Sequence, residues 1–149
     1  MAIAFASLPV PAKALCVTCS VAIAAASVPF GNYDPAQTGP TMTTGTVLLT
    51  ATGTVGASVP VVVALSTGSG TYSSRVMRFG TSTLSYNVNV SPSGAVFGDG
   101  TSGTATVAVG LTVMAVPVTV PVRVYATIPA GQRVIAGPYA DTLAVTVNF

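Results

Sequence analysis

Apolar and polar residues alternate along most of this chain with a period of two. From Thr142 to Phe149, Leu143, Val145, Val147 and Phe149 fall on one face, and Thr142, Ala144, Thr146 and Asn148 on the other. That is the pattern of a β-strand with one buried side. It recurs in Cys19, Val21 and Ile23, in Val47, Leu49 and Ala51, and in Val61, Val63 and Leu65. The run 83–90 sets Leu84, Tyr86, Val88 and Val90 inward, and 104–109 is a further short candidate. The longest run, 116–128, places Val116, Val118, Val120, Val122, Val124, Ala126 and Ile128 on one face. Pro117 and Pro121 cannot donate ladder bonds, so that strand is expected to begin at an edge.

Gly, Pro, Asn, Asp and Ser cluster between these runs, as in FGNYDP (30–35), VSPSG (90–94), FGDGTSG (97–103) and AGPYAD (136–141), which are turn signals. No long stretch has a helical period. Ala-rich 22–26 has local helical character but is short. Strands at this spacing predict an all-β sandwich. The alternation of 142–149 reaches Phe149 with no return strand after it, which raises the question of what pairs with its outer edge.

Composition narrows the function. The 149 residues are 50% hydrophobic, with five Lys or Arg, three Asp, no His and no Trp. General acid–base and nucleophilic catalysis want His, Glu or a close carboxylate pair, and Asp34, Asp99 and Asp141 lie far apart in sequence. Two Cys without His do not make a zinc site. Gly98-Asp99-Gly100 carries one carboxylate where a calcium loop needs several. A net charge of +2, scattered along the chain, gives no basic stripe for nucleic acid. The sequence points to a structural or binding protein, with no enzymatic activity and no cofactor. Low charge at high apolar content predicts poor solubility for a free monomer.

Two readings of the front end stand open. MAIAFASLPVPAKA (1–14) ends in Ala-Lys-Ala, a cleavage-like signal, and reads as the remnant of a secretory signal. Alternatively it is an apolar N-terminal arm in which Ile3 and Phe5 alternate as strand side chains. Residues 15–149 form the domain. The uncharged run 14–33 is diluted by Ser, Thr and Cys and does not read as a membrane helix. Cys16 and Cys19 are too far apart for a disulfide in an extended strand and would need a tight turn.

Several segments together resemble the spore coat protein U domain family, the subunit fold of archaic chaperone–usher pili. They are CSVAIAAASVPFGNYDP (19–35), ALSTGSGTYSSRVM (64–77), LSYNVNV (84–90), FGDGTSGT (97–104) and VYATIPAGQRVIAGPYADTLAVTVNF (124–149). The resemblance implies an immunoglobulin-like sandwich that lacks its last strand. It implies a groove floored by Leu143, Val145, Val147 and Phe149, filled first by a periplasmic chaperone and then by another subunit's N-terminal extension. Burying those four side chains is worth roughly 6–12 kcal/mol as an upper bound, against a typical domain stability of about 5–15 kcal/mol. A subunit without its donor would be marginal.

The partners implied are chaperone, usher, other pilus subunits and copies of the chain itself. The implied location is the periplasm in transit, then a cell-surface fibre. A tip adhesin contacting surfaces through loops such as 91–101, and a stand-alone secreted coat-like protein with a closed sandwich, are the alternatives. The family's usual cysteine partner position is held here by Ala51, so the roughly 2–4 kcal/mol of that bridge is absent. Phe30, Gly31, Tyr33, Asp34, Arg75, Gly98, Asp99, Gly100, Tyr139 and Asp141 fall on family motif positions. Arg75 is expected to meet a carboxylate or backbone carbonyls. Asp34, Asp99 and Asp141 are expected to fasten turns, and the tyrosines to pack in the core or in turns.

Overall fold

The computed structural model describes residues 1–8 and 18–149. Every regular element among them is a strand. In chain order these are β1 (Ala2–Leu8), β2 (Ser20–Pro29), β3 (Thr41–Thr52), β4 (Ser58–Leu65), β5 (Arg75–Phe79), β6 (Ser82–Asn89), β7 (Val107–Thr112), β8 (Val118–Ile128) and β9 (Ala140–Asn148).

The alternation predicted from sequence sets the buried faces. Val47, Leu49 and Ala51 of β3, Val61, Val63 and Leu65 of β4, and Leu84, Tyr86 and Val88 of β6 are all buried. Val122, Val124, Ala126 and Ile128 fill the second half of β8. β2 changes parity part-way. A register shift between Ile23 and Ala25 moves the inward position to Val28, which is fully buried. Ala-rich 22–26, which had local helical character by sequence, lies within this strand across the bulge.

The sheet order is β1-β2-β3-β8-β6-β5-β9-β4-β7, with a further pairing of β1 to β9. That pairing curls the sheet until it meets itself. β1, β2, β3, β8, β6, β5 and β9 make a closed ring, and β4 and β7 extend from the far side of β9. The link from β5 to β9 is narrow, the pair Arg78↔Ala140. The expected sandwich with an open side is therefore corrected to a ring. The physical reason is β1, which lies antiparallel to β2 and parallel to β9 and joins what would otherwise be two sheet edges.

Three further expectations shift. β5 falls within a stretch not read as a strand. The short strand expected at 104–109 runs over Val107–Thr112; Ala105 instead makes an isolated bridge to Phe97. Val116, expected inward, lies before β8 and is 67% exposed. Pro121 sits in β8 opposite Leu48 of β3. On its other side β8 pairs with β6 only near Ala126, so its first half is an edge where the missing proline N–H costs nothing.

Gly45 of β3 shows how tightly the ring is packed. A Cβ there would collide with the Val28 side chain and the Ser27 carbonyl of the bulged strand. We expect Gly45→Ala to lower the stability of the folded chain by about 1–3 kcal/mol, read as a reduced urea midpoint with an unchanged slope.

Candidate functional site: the slot beside the last strand

β9 is paired on both sides. β1 runs parallel to it from Ala2↔Ala140 to Leu8↔Thr146. On the opposite side β4 pairs from Val62↔Asn148 to Leu65↔Val145. The pairing continues past β4, where the Ser66 N–H donates to the Ala144 carbonyl at 3.0 Å. Leu143, Val145 and Val147 are buried, and Phe149 is half-buried against the core. These four residues were expected to floor an open groove. They do face the core, but the edge beside them is occupied by the chain's own first strand. The expectation of an open edge is not confirmed.

The occupant has two unlike faces. Ile3 is fully buried and Phe5 half-buried, while Ala2, Ala4 and Ala6 face outward and are exposed. β1 meets β2 only at Ala2↔Pro29, Ile3↔Val28 and Ala4↔Ser27, helped by the Phe30 N–H donating to the Met1 carbonyl at 3.0 Å. From Phe5 onward its named partner is β9 alone.

Behind the slot, a buried polar cluster fixes β9 to the neighbouring strands. Arg75, at the start of β5, is fully buried. Its Nε and one Nη donate to the Ser66 carbonyl at 3.1 and 2.8 Å. The same Nη reaches the Phe97 carbonyl at 2.6 Å, and the other Nη reaches Asn87 Oδ1 at 2.8 Å. The guanidinium also stacks over Tyr72, 5.4 Å from the ring centre. Burial pulls its pKa below the ordinary value, but a guanidinium so well supplied with acceptors stays charged.

Asp141, in β9, is 5% exposed. It accepts from the Tyr86 hydroxyl at 2.7 Å, the Ser69 hydroxyl at 2.8 Å and the Ser69 N–H at 3.1 Å. The loop 66–69 is thus gripped at one end by Arg75 and at the other by Asp141. It crosses close over β9: Gly68 has φ +64°, and a Cβ there would strike Asp141 and Leu143. Arg75 meets carbonyls, one of the two partners its sequence context suggested. Asp141 differs from its expected role. It bonds the Thr142 N–H beside it at 2.9 Å, but its main work is long-range.

A family model for the Spore Coat Protein U domain matches residues 5–146. This chain belongs to the spore coat protein U domain family. A stretch of 77 residues is also 39% identical to Protein U of Myxococcus xanthus, covering 50% of this chain and 40% of that protein. The chain thus matches less than half the length of that relative. The spore coat U family is one of structural surface proteins of coat or pilus type, not of enzymes.

The other motif positions of this spore coat U domain divide into turn fasteners and packing residues. Asp34 Oδ1 accepts from the Ala36 N–H at 2.9 Å. Asp99 Oδ1 accepts from the Thr101 N–H and hydroxyl at 2.9 and 2.6 Å, bonds that hold this exposed carboxylate below its usual pKa. Gly31 and Gly100 have positive φ, and Gly98 leaves no room for a Cβ beside Thr104. Phe30 packs edge-on against Tyr86, and Tyr139 edge-on against Phe79, each pair at 5.9 Å between ring centres.

Tyr33 and Tyr139 also line a cleft of about 280 Å³ at the Met1 end of the slot, together with Pro35, Leu84 and Ile135. Both hydroxyls are engaged by backbone, Tyr33 with Pro129 and Gln132, and Tyr139 with Ile135. Cys19 is disulfide-bonded; the Cys16 expectation and the cleavage position after Ala14 lie outside the described residues. Ala51 is buried opposite Val21, not opposite Cys19, and a Cβ at Gly53 would collide with Cys19. No group of three or more possible metal ligands occurs among the described residues, and no helix there is long and apolar enough to cross a membrane.

Sequence reasoning missed Ser66, Ser69 and Asn87, whose roles depend on distant strands. A signal for Asp141 was present: it shares the parity of Leu143, Val145 and Val147, so a carboxylate was bound to be buried and to need donors.

Two outcomes follow from the cluster. Arg75→Met leaves the Ser66 and Phe97 carbonyls without their donor, and we expect a loss of about 1–3 kcal/mol for each by urea denaturation. Burial and the bond to Asp141 raise the Tyr86 pKa well above its ordinary 10.0. The folded state then keeps a proton that the unfolded chain loses. This contribution to stability is complete below about pH 10 and falls as the pH rises beyond it. The urea midpoint should drop between pH 9 and 11, and drop less in Tyr86→Phe.

Proposed function

We propose that this chain is a subunit of a secreted surface structure, a pilus or coat layer, and that subunits join by strand donation into the slot beside β9. The observation that carries the reading is the composition of that slot. The strand filling it meets β2 at three positions, and only two of its described side chains, Ile3 and Phe5, point inward. A segment of that kind on a neighbouring copy is chemically equivalent, because main-chain bonds and alternate apolar side chains are all the slot recognises. Family membership supports the surface role.

On this reading the chain travels through a periplasm, where a chaperone covers the slot and an usher passes the subunit on. It then resides on the cell surface and performs no catalysis. Residues 2–8 are on this reading an arm of the mature chain, not part of a leader. A second reading, a stand-alone coat protein, is favoured by the closed ring itself, in which β9 already has neighbours on both sides.

Deleting residues 2–8 separates the two. For the donation reading, the deleted chain should be recovered soluble only when produced with the full chain or with a peptide of residues 1–8, and it should co-purify with either. The loss of Ile3 and Phe5 alone removes up to about 3–6 kcal/mol of burial. Cooperative, monomeric folding of the deleted chain, with no capture of peptide or full chain, would establish the stand-alone reading.

A further inference from the structure

We infer that β1 is a self-donated plug, and that its withdrawal gates entry of any other strand into the slot. The inference rests on the reading of the slot as an acceptor site and adds how access to it is controlled.

The plug is placed by its tether. β1 ends at Leu8 and β2 begins at Ser20, and the two strands pair antiparallel, so Leu8 and Ser20 lie at the same end of the ring. Because β9 runs opposite to β2, the same strand must lie parallel to β9. In the reverse direction Leu8 would sit near Pro29. The link would then have to travel back along β2, ten residues or about 33 Å, when its full stretch is at most about 40 Å. The tether therefore makes the self-donated state the nearest one available, at high effective concentration and with no partner needed.

The same geometry leaves the plug weakly held. Parallel pairing is slightly less stable per residue than antiparallel. The register with β2 is confined to Ala2, Ala4 and the buried Ile3 between them. Beyond that point β1 leans on β9 alone, Phe5 is half-buried, and three alanines face solvent. The slot walls, by contrast, are fixed independently of β1. β9 is clamped by β4, by the loop 66–69 and by the Arg75 and Asp141 cluster, and β2 is paired along its length to β3. A strand with few anchors between walls that stand without it opens locally, ahead of the rest of the fold. While it is in place, the β9 edge that a donor would use is occupied from Ala140 to Thr146, and the β2 edge from Ser27 to Pro29.

A reversible staple tests this. Ala4 and Thr142 are register partners across β1 and β9, and both are exposed. In the full chain carrying Ala4→Cys and Thr142→Cys, oxidation locks the plug and mild reduction frees it. The probe is a fluorescein-labelled peptide of residues 1–8, with uptake followed by anisotropy. We expect the oxidised protein to take up peptide at least a hundredfold more slowly than the reduced form, and Phe5→Ala, which alters the plug but not the walls, to take it up about tenfold faster than wild type.

Equal uptake by oxidised and reduced protein, or uptake unaffected by Phe5→Ala, overturns the gate. Polymer formation is scored separately. Polymers that form equally fast with the plug locked would remove the gate and leave the assembly role standing. Staple-dependent peptide uptake without any polymer would keep the gate and remove the assembly role.

Discussion

The parallel pairing of β1 with β9 is the contact on which the architecture turns. Without it, β2 and β9 are two sheet edges facing each other across a gap lined by apolar side chains, and both present unpaired backbone groups. Such edges are hazards in a soluble protein because they template pairing with other chains. With β1 in place the sheet closes on itself, Ile3 enters the core, and the backbone of β9 is satisfied on both sides. The seven residues of β1 are what close the ring.

The rest of the fold is built so that this choice remains local. Arg75 and Asp141 carry opposite charges into the interior, yet each is held by its own set of hydrogen bonds, Arg75 to carbonyls and Asp141 to Tyr86 and Ser69. Buried charges persist only when their bonding capacity is met by well-placed partners. The ones used here belong to β5, β6, β9 and the loops 66–69 and 97–98, none to β1. The far wall of the slot is therefore rigid for reasons unconnected with what fills it. Within one small domain, that division separates a frame held by its own bonds from the strand β1 that lies against it.

Much of the frame was legible in the alternation. A period of two is a statement about one face, and it placed Val47, Leu49, Val61, Val63, Leu84, Val88, Val124 and Ile128 in the core without any knowledge of partners. The parity of 143, 145 and 147 was equally clear. The alternation lost its meaning where an extra residue enters a strand, as in the β2 bulge. It also lost it where the chain is short and polar at one end, as in β5, whose inward positions are an arginine and a methionine. Arg75 on an inward face looks like an exception until the carbonyls of Ser66 and Phe97 are seen beside it.

The sequence by itself determined an all-β chain, which faces of its strands are buried, the lack of His and Glu, and the family to which the motifs belong. It did so because side-chain chemistry and a two-residue period are local properties. Only the tertiary structure decided that the segment 2–8 lies beside β9, that Asp141 serves Ser69 and Tyr86, and that the sheet closes. Those are pairings between segments far apart in the chain, and an apolar alternating strand such as AIAFASL carries no mark of the edge it will join.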